Sequence, residues 1–296
     1  MQHGISYLAV NNDALHQAIK RGASSDYIAN LKQRIAFEAT VGYEYTEKPF
    51  SELSGVLCND YAFNPFRYKT VEEGAIYNKE SFPNATCGVR RKENVVGKCT
   101  WVCLDIDETT IKDEEYHSII KGTNHHIART SNPDNPYKYR VMLPLTHAVD
   151  VDNEHWKFFI GSIAKSLMCK IDRLPKSQLM IGYKDRKVYS TIDGKDIDPT
   201  SHMNIAKMEV AKLNEYKISV TPGEASKLLA QPYSTFDFAF NATVGNRWAS
   251  SHAAIHKARE LGASPEYIEE LMYKINDFLD VPKPRETVKA TLISAI

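Results

Sequence analysis

The stretch Trp101-Val-Cys-Leu-Asp-Ile-Asp-Glu-Thr-Thr110 decides the fold, because it is an apolar run that ends in two carboxylates one residue apart. The pattern predicts a strand. Alternate side chains of a strand share a face and each residue advances the chain by roughly 3.3 Å, so Asp105 and Asp107 lie about 6.6 Å apart on one side. The opposite face then enters the core with Val102, Leu104 and Ile106.

Paired carboxylates at this position point to metal chemistry. Two acids at such a spacing can bind a pair of divalent cations about 3.5–4 Å apart, the arrangement that moves phosphoryl groups. They also follow the carboxyl end of a strand, where open α/β sheets place their ligands. A solvated strand end followed by a turn is the alternative for Asp105 and Asp107 taken alone.

Length and composition are those of a globular protein. The chain has 296 residues, of which 43% are hydrophobic and 25% charged, enough for one large core and a smaller domain. No apolar run approaches the roughly 20 residues that span a bilayer, and the first residues show no secretory signal. Five scattered cysteines fit a reducing compartment, so we expect a cytoplasmic protein without membrane partners.

The charge balance limits the mode of nucleic-acid binding. Lys plus Arg equals Asp plus Glu, 37 against 37, whereas a protein that clamps DNA alone is usually basic overall. A neutral balance permits a local basic groove and predicts weak, salt-sensitive binding unless a partner helps.

An internal repeat relates the two ends of the chain. Residues 14–35 align without gaps on residues 254–275, with 10 of 22 positions identical. In the first copy a helix ends at Gly22, suited to the left-handed conformation, and Ser24 N-caps the next helix. Each copy is therefore predicted to be a helical hairpin, and we expect the two to pack together. The apolar stripes are Tyr27, Ile28, Leu31 and Ile35, and Tyr267, Ile268, Leu271 and Ile275.

Five segments of the middle region occur in a familiar order. They are Asp105-Ile-Asp107, Thr130-Ser-Asn132, Tyr139-Arg-Val-Met-Leu-Pro-Leu145, Ile171-Asp172 and Leu179-Met-Ile-Gly-Tyr183. In this order, over roughly residues 50–200, the chain resembles archaeo-eukaryotic primases, specifically the small primase-polymerases of phages and plasmids. The unit from Asn246 onward looks like the helical tail that follows such primase domains.

The resemblance implies an α/β (α+β) fold. It consists of a primase-polymerase core with a mixed, largely antiparallel sheet and a helical module built from the two hairpin repeats. We place an N-terminal helical hairpin at residues 1–45, the catalytic core at 46–200, a helix and linker at 201–245, and a C-terminal helical domain at 246–296.

The resemblance also implies the site residues. The catalytic residues, which also bind two Mg²⁺ or Mn²⁺ ions, are Asp105, Asp107 and Asp172. The nucleotide-binding residues are Thr130, Ser131, Asn132, Arg140 and His126. The family's second motif usually carries His where this chain has Asn132, and an arginine such as Arg140 can bind phosphate through both arms of its guanidinium fork. The basic cluster Arg90-Arg91-Lys92 is a candidate for template binding.

The implied function is DNA-dependent priming, by metal-dependent, template-directed nucleotidyl transfer. The partners are a single-stranded DNA template and nucleoside triphosphates. No Walker A motif is present, since Val96-Gly97-Lys98-Cys99 lacks the upstream Gly and the Ser or Thr, so a helicase or replicative polymerase would be a separate chain. A phage-encoded protein would act in the host cytoplasm. Replacing Asp105 or Asp107 with alanine is expected to abolish activity and leave the fold intact.

Two alternatives stay open. Leu104-Asp-Ile-Asp-Glu-Thr-Thr110 also fits the first motif of haloacid-dehalogenase-type phosphatases, with Asp105 as nucleophile and Asp107 as acid/base. That motif normally opens its domain, whereas about 100 residues precede it here, and the later acidic pair of that family is absent. The other alternative is a non-catalytic replication-initiator or DNA-binding subunit that keeps the primase fold.

Overall fold

The motif stretch forms a strand, as predicted, in a computed structural model of the chain. The structure describes residues 1–107, 109–171, 175–219, 236–240, 242, 247–260, 263–279 and 282–291. Asp172, predicted as a metal ligand, lies outside the described residues. The chain divides into two units, residues 1–207 and 208–296.

Strands dominate the first unit. They are β1 (Gln2–Ala9), β2 (Val41–Pro49), β3 (Tyr61–Asn64), β4 (Arg67–Tyr68), β5 (Gly88–Val89), β6 (Val95–Val96), β7 (Cys99–Ile106), β8 (His125–Arg129), β9 (Tyr139–Val149), β10 (Met180–Ile181) and β11 (Val188–Thr191). The helices are α1 (Asp13–Lys20), α2 (Ser25–Glu38), α3 (Phe50–Leu53), α4 (Asp113–Ile119), α5 (Asn153–Ser166) and α6 (Pro199–Ser219), the last of which continues past residue 207.

The strands pair into three sheets. The five-stranded sheet has the order β10-β3-β1-β2-β5, the four-stranded sheet the order β11-β8-β9-β7, and β4 pairs with β6. Every ladder between these strands is antiparallel. The mixed α/β fold with largely antiparallel sheets that we expected is therefore confirmed, and the carboxylate-bearing strand β7 lies at an edge of its sheet.

Strand β7 is buried on both faces. Val102, Leu104 and Ile106 are fully buried on one face, as predicted. On the other face, Trp101 and Cys103 belong to a core that also takes side chains from the five-stranded sheet. The members from that sheet are Ile5, Phe63 and Met180. The face of β7 that carries Trp101, Cys103 and Asp105 is thus packed against the five-stranded sheet. This interface between the two sheets ends at Asp105.

The first repeat copy is the hairpin α1–α2. In the chain it connects β1 to β2, which are neighbouring strands of the five-stranded sheet. The sequence analysis assigned residues 1–45 to the hairpin and missed β1 and β2. Gly22 adopts φ +67°, and the Ser24 hydroxyl accepts a hydrogen bond from the Tyr27 backbone N–H at 3.3 Å, as expected of the turn and the N-cap.

The apolar stripe of α2 packs beside β10. Ile35 is buried, and Ile28 and Leu31 are partly buried in a cluster with Ile181 and Tyr183. Tyr27, which was predicted to belong to the stripe, is 54% exposed. Consecutive helical residues point about 100° apart, so Tyr27 turns away from the face on which Ile28 lies.

The second unit is helical. Its helices are α7 (Asp237–Phe240), α8 (Arg247–Glu260), α9 (Pro265–Asp277) and α10 (Arg285–Thr291). Ile268, Leu271 and Ile275 are buried in its core, and Ser264 caps α9 through the Tyr267 backbone N–H at 3.3 Å. The second copy is therefore also a hairpin. The two copies belong to different units, and their packing against each other stays a prediction.

Among the helices of the described segments, none is both long and apolar enough to cross a membrane.

Candidate nucleotide and metal site

A cleft of about 430 Å³ opens where β7 ends, between α2 and the segment around β10. Of the predicted site residues it is lined by Asp105, Asp107, Thr130, Ser131, Arg140 and Arg90. It also contains two lysines that sequence reasoning missed, Lys32 and Lys138. The structure thus brings together, from four separate stretches of chain, most of the residues singled out from the sequence.

The two carboxylates meet the cleft at different depths. The Asp105 side chain is 17% exposed, whereas that of Asp107, one residue beyond the end of β7, is 50% exposed. The sheet is antiparallel, so the rule that places ligands at the carboxyl ends of parallel strands does not account for this site. The cleft forms instead because the interface between the two sheets ends at Asp105.

Arg140 lies directly opposite Asp105 in the β7–β9 ladder. Its Nη2 donates to Asp105 Oδ2 at 3.2 Å, and its Nη1 donates to the carbonyl of Ile181. Burial lowers the pKa of Arg140, but Asp105, together with Tyr183 and Cys103, outweighs this effect, and the pKa lies above its ordinary value. The guanidinium fork predicted to bind phosphate is therefore engaged, and Arg140 fixes the position of Asp105.

One carboxylate oxygen of Asp105, Oδ1, accepts no hydrogen bond. Oδ1 lies 3.2 Å from Arg140 Nε, an ion-pair distance, but the angles do not make a hydrogen bond, so both atoms are buried without a hydrogen-bond partner. A buried acceptor in this state carries an unmet desolvation cost. It is a position where a cation or a water molecule would be stabilised.

The mouth of the cleft is positively charged. Lys138 Nζ lies 3.8 Å from Asp107 Oδ1, and both side chains are about half exposed. Lys32 extends from α2 with its residue exposed to solvent. Desolvation lowers the pKa of Lys32, and Asp107 opposes this shift. Two flexible ammonium groups thus flank the more exposed carboxylate.

A further arginine holds the Thr130–Ser131 segment in place. Arg186 donates from Nε to the carbonyl of Thr130 at 3.1 Å and from Nη2 to that of Ser131 at 2.9 Å. Sequence reasoning missed Arg186, since an arginine in a polar turn after β10 gives no signal of such a contact. Asn132, predicted to bind nucleotide, is exposed in a turn in which its Oδ1 accepts from the Asp134 backbone N–H, and it does not line the cleft.

His126 is not placed at the cleft. It is buried, its Nε2 donates to the carbonyl of Phe50 at 2.8 Å, and its Nδ1 lies 2.7 Å from the Ser190 hydroxyl. Its ring stacks on that of Phe50 at 4.3 Å. Both ring nitrogens are therefore occupied inside the protein, which leaves His126 a packing role and no contact with a nucleotide.

Of the basic cluster, Arg90 caps a helix. Its Nε and Nη2 donate to the carbonyls of Ala39 and Ala36, each at 2.9 Å, at the end of α2. Arg91 and Lys92 are exposed. Only these two keep their charge available for a template.

His125, the residue before His126, is expected to make the stability of the protein depend on pH. It is fully buried, its Nδ1 donates to the carbonyl of Thr123, and its Nε2 faces His117 Nδ1 at 2.8 Å. Burial lowers its pKa from 6.5 to about 4. Between the unfolded-state pKa of 6.5 and the folded-state pKa of about 4, the unfolded chain binds more protons at His125 than the folded chain does. The stability that neutral His125 contributes is therefore fully present above pH 6.5 and is lost as the pH falls towards 4.

We expect His125→Gln, which removes this titration, to flatten the pH dependence. Between about pH 7.5 and pH 5 the wild-type protein should lose about 2 kcal/mol more unfolding free energy than the variant. Urea unfolding at both pH values measures the difference. Equal losses in the two proteins would show that His125 does not titrate in this way.

The donor set fits a divalent ion bound together with phosphate. Within the described part of the chain, no group of three or more His, Cys, Asp or Glu residues is placed to hold a metal ion. Mg²⁺ however is usually bound by one or two carboxylates and completes its shell with water and substrate phosphates. Asp105, whose Oδ1 accepts no hydrogen bond, and Asp107 would supply two such carboxylates. Ile171 lines a small pocket with Asp105, and the role of Asp172 stays a prediction.

Comparisons with known proteins do not show a family. No family model and no curated protein matches the chain. Two solved structures are similar to it. One is the AEP domain of the cyanophage S-2L primase-polymerase, with 9% identity, a TM-score of 0.32, and coverage of 68% of this chain and 88% of that one. The other is primase RepB′, with 8% identity, a TM-score of 0.33, and coverage of 99% and 91%. TM-scores this low carry no argument about function.

Proposed function

We propose that this protein is a primase-polymerase, which joins nucleotides on a single-stranded DNA template in a metal-dependent reaction. The observation that carries the proposal is the cleft in which Asp105 and Asp107 stand beside Lys32 and Lys138. Carboxylates alone would bind a cation, and lysines alone an anion. Both together suit a metal–triphosphate complex, whose charges are of both signs.

Each part of the cleft has a task in this reaction. Asp105 and Asp107 would hold the divalent ions, and Arg140 keeps Asp105 in place. When bound, such ions would activate the attacking 3′-hydroxyl and stabilise the leaving pyrophosphate. Lys138 and Lys32 bind the triphosphate oxygens. On binding, Lys138 exchanges its ion pair with Asp107 for one with the triphosphate.

The phosphatase alternative is less well supported. The family's motif normally opens its domain, whereas β1 to β6 precede it here, and the later acidic pair of that family is absent from the sequence. The alternative of a non-catalytic DNA-binding subunit is separated from the enzyme by experiment. In either case a helicase would be a separate chain.

Incubation with single-stranded DNA, labelled nucleotides and Mn²⁺, followed by product sizing, tests the proposal. We expect short labelled products that depend on the template and disappear with EDTA. Parallel reactions with ribo- and deoxynucleotides identify the preferred substrate. Binding of DNA with no incorporation under any of these conditions would favour the non-catalytic subunit. Release of phosphate from a generic phosphoester, without incorporation, would favour the phosphatase.

A further inference from the structure

Two phenylalanines form an exposed pair on the first unit. The rings of Phe37 and Phe82 lie 5.1 Å apart with an interplanar angle of 33°. Phe37 is 57% exposed although phenylalanine is usually buried, and Phe82 is partly exposed. Neither residue belongs to the clusters of described residues built around Trp101, Ile35, Tyr43 or Leu271. One ring covers part of the other, and the remaining aromatic surface faces solvent.

The backbone at both phenylalanines is hydrogen-bonded. Phe37 lies in the last turn of α2, and Arg90 donates to the carbonyls of Ala36 and Ala39 on either side of it. Phe82 lies in a turn in which its backbone N–H donates to the carbonyl of Asn78 at 3.1 Å. The backbone that carries the pair is therefore already ordered, which lowers the entropy cost of binding a flat ligand.

Phe37 directly follows a residue of α2 that lines the cleft. Ala36, the residue before Phe37, lines the cleft, and so does Lys32 one turn earlier on α2. Arg91 and Lys92 follow the arginine that caps α2 and are exposed. Lys92 lies 3.8 Å from Glu93, whereas no carboxylate of the described segments lies within ion-pair distance of Arg91. Aromatic surface and available positive charge thus lie on two segments, around Ala36 and around Arg90, that also line the candidate active site.

We propose that Phe37 and Phe82 form a stacking platform for unpaired bases of a single-stranded nucleic acid that enters the cleft. Every base has a π-face, so stacking on an aromatic side chain binds a single strand without regard to sequence, while positive groups contact its phosphates. A duplex has no free base faces and would not use the pair. The identity of this strand as the template rests on the proposed function, whereas the binding itself does not.

Fluorescence anisotropy with labelled oligo-dT, without metal or nucleotide, tests the platform. Phe37→Ala should weaken binding by roughly 5- to 150-fold, the loss that corresponds to one stacked base. Phe37→Trp should keep the affinity, because the larger ring also stacks. Tyr27→Ala is the matched control, since Tyr27 is a 54% exposed aromatic on the same helix, outside the pair, and its loss should change nothing. Phe37 is exposed, so thermal unfolding should be unaltered.

The outcomes separate this inference from the proposed function. Equal affinities of the wild-type protein and Phe37→Ala, or no binding of oligo-dT at all, overturn the platform, even if the wild type incorporates nucleotides. Binding that depends on Phe37 supports it, even if no incorporation occurs and the proposed enzymatic function fails. A duplex bound as tightly as the single strand, with the same dependence on Phe37, would also overturn the platform.

Discussion

Replacing Asp107 with asparagine is expected to reduce metal-dependent nucleotide incorporation to less than about a tenth of the wild-type rate, because it removes a metal ligand. The side chain is half exposed and its ion-pair contact with Lys138 is long, so the fold should not change. Primer extension and thermal unfolding of the same preparations measure both effects.

Asp134→Asn is the control for this variant. Asp134 is an exposed carboxylate near the Thr130–Ser131 segment that does not line the cleft. Its replacement removes the same charge from the same region and should leave incorporation unchanged. If Asp107→Asn keeps more than about a tenth of the activity, Asp107 is not a metal ligand.

The structure changes what is expected of Asp105. The sequence predicted that Asp105→Ala leaves the fold intact, whereas the carboxylate is the partner of a buried guanidinium. Removing it strands the charge of Arg140 in the interior, which costs stability. Loss of activity in Asp105→Ala therefore has two causes, and Asp107 is the cleaner test of the metal site.

The largest loss of stability is expected from Arg140→Ala. It leaves Asp105 buried without its partner and the Ile181 carbonyl without its donor. Breaking a buried pair of this kind costs about 3–5 kcal/mol of unfolding free energy. Denaturant unfolding of the full chain, followed by far-UV circular dichroism, measures the loss.

Arg34→Ala provides the matched control. Arg34 pairs with Glu38 on the surface of α2, with a side chain that is 75% exposed, and such exposed pairs add little to stability. If Arg140→Ala destabilised the protein no more than Arg34→Ala, the Asp105–Arg140 pair would not hold the cleft together.

The motif strand and the two hairpins could be predicted because their signals are local. An apolar β-branched run, a glycine at φ +67° and a serine N-cap act within a few residues of chain. The resemblance named Asp105 and Arg140 as residues of one site, but it assigned Arg140 to phosphate. Their direct pairing is seen only in the structure, because β8 lies between β7 and β9 in the chain.

Other features depend on contacts between distant segments. In β2 the residues Tyr43, Glu44 and Tyr45 alternate with the period of a strand. We nevertheless predicted a helical hairpin for all of residues 1–45, because the repeat at residues 14–35 gave the stronger signal. That Arg90 would cap α2, or that His126 would bond to the Phe50 carbonyl, follows only once the segments are folded together. Lys32 joins the cleft for the same reason, because α2 packs beside β10.

The central claim is that Asp105 and Asp107 hold a divalent ion together with a triphosphate. Electron paramagnetic resonance of Mn²⁺, titrated with the protein and a non-hydrolysable nucleoside triphosphate, tests it most directly, with Asp107→Asn measured in parallel. The account predicts that the wild-type protein binds Mn²⁺ in the presence of the triphosphate and that Asp107→Asn binds it at least about tenfold more weakly. Equal binding by both proteins, or none by the wild type, would contradict it.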